Sequence, residues 1–197
     1  MRYRGKMSTI VCHIGNPRSA KPQTLQEYGK LREQIIQRPW KSLEPLEFAH
    51  LVTEKGCPFY GALMNGIDLM ELQYEKLCWR MQKIAGLDFD KTEIRPNKMV
   101  ERFENLGLRP WLAYPTFSDR TTGKNIRSYR LLWQVESDLN LSYAQTTIAL
   151  KKLRELSGNL ADKFATNCTR MWQGSTHGFT HYSGNAPLLN LRNLIKC

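Results

Sequence analysis

A chain of 197 residues, 41% hydrophobic and 24% charged, is long enough to bury its own core and fits one domain with a small addition. Its net charge of +11 favours polyanionic partners, nucleic acid before an acidic membrane surface. Five cysteines without a C-x-x-C argue against a zinc site or disulfide framework and point to a reducing cytoplasm, while the lack of any run of about 18 apolar residues predicts no membrane span.

Residues 1–23 read as an N-terminal arm. Met1 to Lys6 is basic but is followed by no apolar stretch of the kind a secretory signal needs. Ser8 to Ile14 is β-rich, and Asn16 to Gln23 holds two prolines and reads as a loop. Cys12 and His13 read as a buried thiol beside a surface imidazole. Thr24 to Gln37 suits a helix, capped by Thr24 with Glu27 completing a capping box. Leu25, Tyr28, Leu31, Ile35 and Ile36 give it an apolar stripe. Residues 45–52 predict a short helix with Pro45 in its first turn. Gly56-Cys57-Pro58 turns the chain. Residues 68–82 predict a further helix leading directly into a strand.

That strand is Lys83 to Asp90. Ala85, Leu87 and Phe89 share one parity; Gly86, Asp88 and Asp90 share the other, so both carboxylates project from one face. Two like charges so close repel unless a cation lies between them. The pair is therefore a candidate seat for Mg²⁺ or Mn²⁺, which prefer carboxylate oxygen. The bland alternative is a strand running into a solvated acidic turn.

A helix from Pro96 to Leu106 follows, then a strand at 111–117, a polar loop at 118–125, a strand at 126–136, a helix from Ser142 to Leu156 and a strand near 169–173. The order β-α-β-β-α-β predicts an α+β fold with an RRM-like core over about 83–175. An N-terminal mixed subdomain precedes it within a domain spanning 24–187, and a helical tail at 188–197 follows. In that arrangement the first and third strands are antiparallel neighbours. Arg130, Gln134 and Glu136 then share the open face with Asp88 and Asp90. A cation there is either a plain salt bridge or a grip on phosphate. An RNA-binding RRM would put stacking aromatics on this face, where charges stand instead. His177 lies in a glycine-rich loop suited to phosphates. The loop 118–127, with Arg120, Lys124 and Arg127, is a candidate track for a nucleic-acid backbone. Trp111, Trp133 and Trp172 are candidate stacking surfaces, or core.

The motifs G-L-D-F-D (86–90), L-G-L-R-P-W-L-A-Y-P-T-F-S (106–118), S-Y-R-L-L-W-Q-V (128–135), A-D (161–162) and T-R-M-W-Q-G-S (169–175) occur in this order. Together they resemble the archaeo-eukaryotic primase superfamily, in particular the primase-polymerase domains of plasmid, phage and mobile-element replication proteins. The resemblance implies that Asp88 and Asp90 are metal-binding catalytic acids and that Asp162 is the third, with Glu136 and Asp138 as alternatives. It places Ser128 and Arg130 at the family's S-x-H position, with Arg where His is usual. It adds Arg170 to the nucleotide-binding residues beside His177. The implied activity is a template-dependent nucleotidyltransferase, a DNA primase or polymerase of a mobile element. It would use Mg²⁺ or Mn²⁺, nucleoside triphosphates and a single-stranded DNA template, often beside a replicative helicase. Arg at the His position cannot switch protonation, so nucleotide binding survives that change better than activity does. The alternatives are a catalytically silent protein that binds nucleic acid or nucleotide, and an initiator that reads double-stranded DNA with a basic helix.

Overall fold

The computed structural model describes residues 9–64, 78–119, 127–136 and 140–196. The fold is α+β. In the first half, β1 (Ile10–Ile14), α1 (Leu25–Ile36), β2 (Lys41–Leu43), α2 (Pro45–Thr53), β3 (Phe59–Tyr60) and β4 (Ala62–Met64) follow one another. The second half has β5 (Trp79–Gln82), β6 (Ile84–Thr92), α3 (Pro96–Asn105), β7 (Leu112–Pro115), β8 (Arg127–Gln134) and α4 (Tyr143–Leu156). A 3-10 turn (Lys163–Thr166), β9 (Met171–Trp172), β10 (His181–Tyr182) and α5 (Leu191–Lys196) close the chain.

Local chemistry explains most boundaries. Thr24 caps α1 by accepting the Glu27 N–H, while Glu27 reaches back one residue further than expected, to the Gln23 N–H. Ser142 and Gln145 make the full reciprocal capping box of α4. Pro45 and Pro96 open α2 and α3, where a missing N–H costs nothing.

Two antiparallel four-stranded sheets form the body, in the orders β2-β1-β3-β9 and β10-β7-β8-β6. The expected neighbours, β6 and β8, pair antiparallel, with Leu87 opposite Leu131 and Asp88 opposite Arg130. Their Leu87, Phe89, Tyr129, Leu131 and Trp133 face is buried, and α3 packs Phe103 edge-on against Trp133. The Gly86–Asp88 face is not open, as an isolated RRM-like core would leave it. The first sheet covers it, and Trp172 of β9 lies on Gly86. A Cβ added at Gly86 would stand 2.9 Å from the Trp172 ring, so only glycine admits this contact.

Three further expectations change. The strand near 169–173 is shorter than expected and lies outside the sheet of β6 and β8: β9 pairs with β3 in the first sheet. The place beside β6 is taken instead by the segment before the 3-10 turn, where the Asp162 N–H donates to the Asp88 carbonyl at 2.7 Å. The helix expected over 68–82 ends otherwise: Trp79–Gln82 is a strand paired with β4, and residues 68–77 lie outside the described residues. Finally, Ile10–Ile14 of the expected arm is an inner strand between β2 and β3, with Ile10, Cys12 and Ile14 in the main core.

His13 is buried rather than at the surface. Its Nδ1 lies 3.1 Å from the Arg38 carbonyl and its Nε2 3.3 Å from the Met64 amide nitrogen. Burial pulls its pKa down, which fits a neutral ring donating at Nδ1 and accepting at Nε2. Burial also pushes the Cys12 thiol up to about 12, leaving it inert. Val135 bridges to Leu189, and α5 buries Leu191 and Leu194, so the tail docks on the domain.

Candidate metal and nucleotide site

One rung of the second sheet reads Tyr114, Arg130, Asp88 across β7, β8 and β6. Asp88 and Arg130 are 2% and 4% exposed, so both charges are out of water. Burial of that kind is tolerated only when each charge is paired and hydrogen-bonded. Arg130 meets the requirement with all three nitrogens. Nε and Nη2 hold the two Asp88 oxygens at 3.0 and 3.2 Å, and Nη1 donates to the Gln173 carbonyl. Burial works to lower the Arg130 pKa, but Asp88 and Tyr114 outweigh it and hold the guanidinium charged above its ordinary value.

Asp90 sits two residues on, beside a β-bulge. Phe89 pairs with Tyr129 and Thr92 with Arg127, so Asp90 and Lys91 together oppose Ser128. Lys91 takes a left-handed conformation, φ 52°, and its N–H donates to the buried Ser128 hydroxyl at 3.1 Å. The bulge frees Asp90 from the cross-strand pairing that binds Asp88. Its carboxylate accepts no hydrogen bond and makes no ion pair among the described residues. Partial burial and then the Asp88 charge push its pKa up, against the pull of Arg130 and Lys21.

Asp162 completes the cluster. The hydrogen bond from its backbone to Asp88 brings it to the edge of β6, and its Oδ1 caps the 3-10 turn by accepting the Phe164 N–H at 3.0 Å. One oxygen from each of Asp88, Asp90 and Asp162 lies within 4.8 Å of the other two. Arg170 bridges two of them, with Nη2 2.7 Å from Asp88 and Nη1 2.9 Å from Asp162. Burial works to raise the Asp162 carboxyl, but Arg170, the Phe164 N–H and Arg154 hold it below the usual carboxylate range. Both arginines rest on Trp172, their guanidinium carbons 5.5 and 5.0 Å from its ring centroid. Trp111, Trp133 and Trp172 are all buried, so none offers a face to a base.

The donor set fits a hard divalent ion. Three carboxylates converge, one of them makes no direct ion pair among the described residues, and their mutual repulsion is what a cation would relieve. Glu136 lies outside the cluster and accepts a hydrogen bond from Asn190 at 2.5 Å; Asp138 lies outside the described residues.

Lys21 was not legible as a site residue. Its ammonium donates to the Ser118 hydroxyl at 2.5 Å and lies near enough to Asp90 and Asp88 to feel both. Burial and the Arg130 charge pull its pKa down. The segment is fixed by backbone bonds from Gly15 to Pro58 and from Arg18 to Lys55. Gly56, at φ 70°, lets the Arg18 carbonyl pass: a Cβ there would stand 1.9 Å from that oxygen. The only sequence signal was a lysine between two prolines. Lys21, Ser118, Thr176 and His177 line a cleft of about 410 Å³.

The remaining candidates separate. Arg130 is fully committed to Asp88 and Gln173, the salt-bridge alternative rather than a free phosphate grip. Ser128 holds the bulge. Arg127 is exposed and lies 3.7 Å from Asp119, whereas Arg120 and Lys124 lie outside the described residues.

No protein-family model matches the chain, and no curated protein does. Among solved structures, the primase-polymerase AEP domain of cyanophage S-2L superposes over 96% of this chain and 88% of its own. The two are 15% identical and the TM-score is 0.48, a likeness too slight to speak to activity. Among the described residues no helix is long and apolar enough to cross a membrane.

Proposed function

We propose that this chain is a template-dependent nucleotidyltransferase of the DNA primase or polymerase type, acting in replication of a mobile element. The observation that carries the reading is the convergence of Asp88, Asp90 and Asp162 at a sheet edge ringed by Lys21, Arg130 and Arg170. An acidic notch in a protein of net charge +11 suits metal-assisted chemistry on a polyanion.

Asp88, Asp90 and Asp162 would hold Mg²⁺ or Mn²⁺. When bound, such ions lower the pKa of an attacking 3′-hydroxyl and steady a triphosphate leaving group. Arg130 is a positioning residue that fixes Asp88 in its rotamer. Lys21 and His177 meet the triphosphate in the 410 Å³ cleft beside the notch. Arg170 is partly exposed and exchanges a carboxylate for a phosphate oxygen. Nucleoside triphosphates and a single-stranded DNA template are the substrates, with Arg120, Lys124 and Arg127 along the template; a replicative helicase is the natural companion.

A second reading is a catalytically silent protein that binds nucleotide or nucleic acid. It is favoured by one observation: Arg130 and Arg170 together occupy both oxygens of Asp88. Primer extension and de novo synthesis on single-stranded DNA with Mg²⁺ and with Mn²⁺ decide between them. The enzyme reading expects synthesis that Asp90→Asn lowers by more than ~100-fold, beyond the ~10–100-fold typical of groups that merely orient metal ligands. Nucleotide binding with no synthesis under either ion selects the silent reading.

A further inference from the structure

The acidic notch adjoins a second cleft, of about 280 Å³, lined among others by Asp162, Phe164, Arg32, Arg170 and Thr169. Phe164 is 64% exposed, the most exposed aromatic among the described residues. A lone surface phenylalanine means little. This one stands on a turn that the site itself caps. The 3-10 turn buries Ala165 inward, and the Asp162 oxygen that caps the turn accepts the Phe164 N–H. The same carboxylate thus joins the metal cluster and caps the turn that carries the ring. Lys163 places its ammonium 5.2 Å from the ring centroid, and Arg32 and Arg170 add positive charge along the cleft.

An aromatic shelf flanked by cations is the arrangement that binds single-stranded nucleic acid: bases stack on the ring while phosphates meet the charges. We propose that this cleft seats the growing strand, its terminal base on Phe164 and its phosphates near Lys163, Arg32 and Arg170. The inference rests on the nucleotidyltransferase reading for the strand's direction. Asp162 lines this cleft and belongs to the acidic triad, so a 3′-end seated here presents its hydroxyl to the carboxylates. The Lys21 cleft, which shares no lining residue with this one, is left for the incoming triphosphate.

The test is fluorescence anisotropy of 5′-labelled oligothymidylate and oligouridylate, each of about 12 nucleotides. It is run in EDTA so that no synthesis intervenes. Phe164→Ala removes an exposed ring and leaves no cavity, so folding is not at issue. The expected result is a ~5- to 100-fold weaker affinity for at least one strand, the range of one lost base–aromatic stack. Phe164→Trp should retain affinity, and its indole emission should quench as strand is added. Wild-type affinity of Phe164→Ala for both strands overturns the proposal. Asp90→Asn keeps the two readings apart: it tests synthesis, whereas Phe164→Ala tests strand binding without it.

Discussion

Asp88 and Asp90 differ by two positions in one strand and yet have opposite roles in stability. Asp88 is the counter-charge of two arginines. Its replacement by Ala leaves Arg130 charged and buried, so we expect a loss of ~3–5 kcal/mol in chemical denaturation, the usual consequence of breaking a buried pair. Asp90 stands in repulsion with its neighbours and has its pKa raised. A carboxyl raised on folding stabilises the fold below its unfolded pKa and loses that contribution as pH climbs through the folded value. At neutral pH the metal-free protein therefore carries the repulsion, and Asp90→Asn should raise Tm, by ~2–4 °C for each kcal/mol relieved in a chain of this size. Thermal melts in EDTA at pH 7 check this; a lower Tm would contradict it. Asp90→Asn is accordingly the informative variant for chemistry, because Asp88→Ala confounds activity with folding.

At the scale of elements, strand β6 was legible from its alternation and helices α3 and α4 from their caps and stripes. Pairing partners were not. The short run Met171–Trp172 reads as a strand in either sheet, and nothing local says that Trp172 packs on Gly86 while the Asp162 segment lies beside β6. Such placement is set by tertiary packing, which a period of two residues does not encode. The bulge at Asp90–Lys91 escaped notice for a related reason: lysine rarely takes φ > 0, and the Ser128 hydroxyl that supports it lies 37 residues away. Gly86 makes the packing testable. Gly86→Ala forces its methyl to 2.9 Å from a rigid indole ring, closer than carbon atoms tolerate, so the two sheets must part locally. We expect a loss of ~1–3 kcal/mol, as for other overpacked cores, together with reduced affinity for divalent ions because Trp172 also carries both arginines. An unchanged denaturation midpoint would mean that Trp172 is not held on β6.

For the molecule as a whole, the charge of +11 pointed to a polyanion, and the D-x-D spacing to a cation inside a basic surface. Lys21 was out of reach because it depends on a contact across the fold, with Ser118, 97 residues away; Phe164 was out of reach because an apolar ring reads as core, and only the packing of the whole chain leaves it exposed. The resulting layout has two clefts with no lining residue in common, one holding Lys21 and the other Asp162 and Phe164, which gives a strand end and a triphosphate separate places. Everything in it depends on the notch holding a divalent ion. The most direct measurement is a titration of the metal-free protein with Mn²⁺, followed by electron paramagnetic resonance of the free ion, in wild type and Asp90→Asn. The wild type should take up Mn²⁺ at pH 7.5. Uptake should fail on acidification at a higher pH than an ordinary carboxylate pair would show, since Asp90 is protonated early. Asp90→Asn should show no comparable uptake. Equal uptake by both proteins, or none by the wild type, would contradict the account.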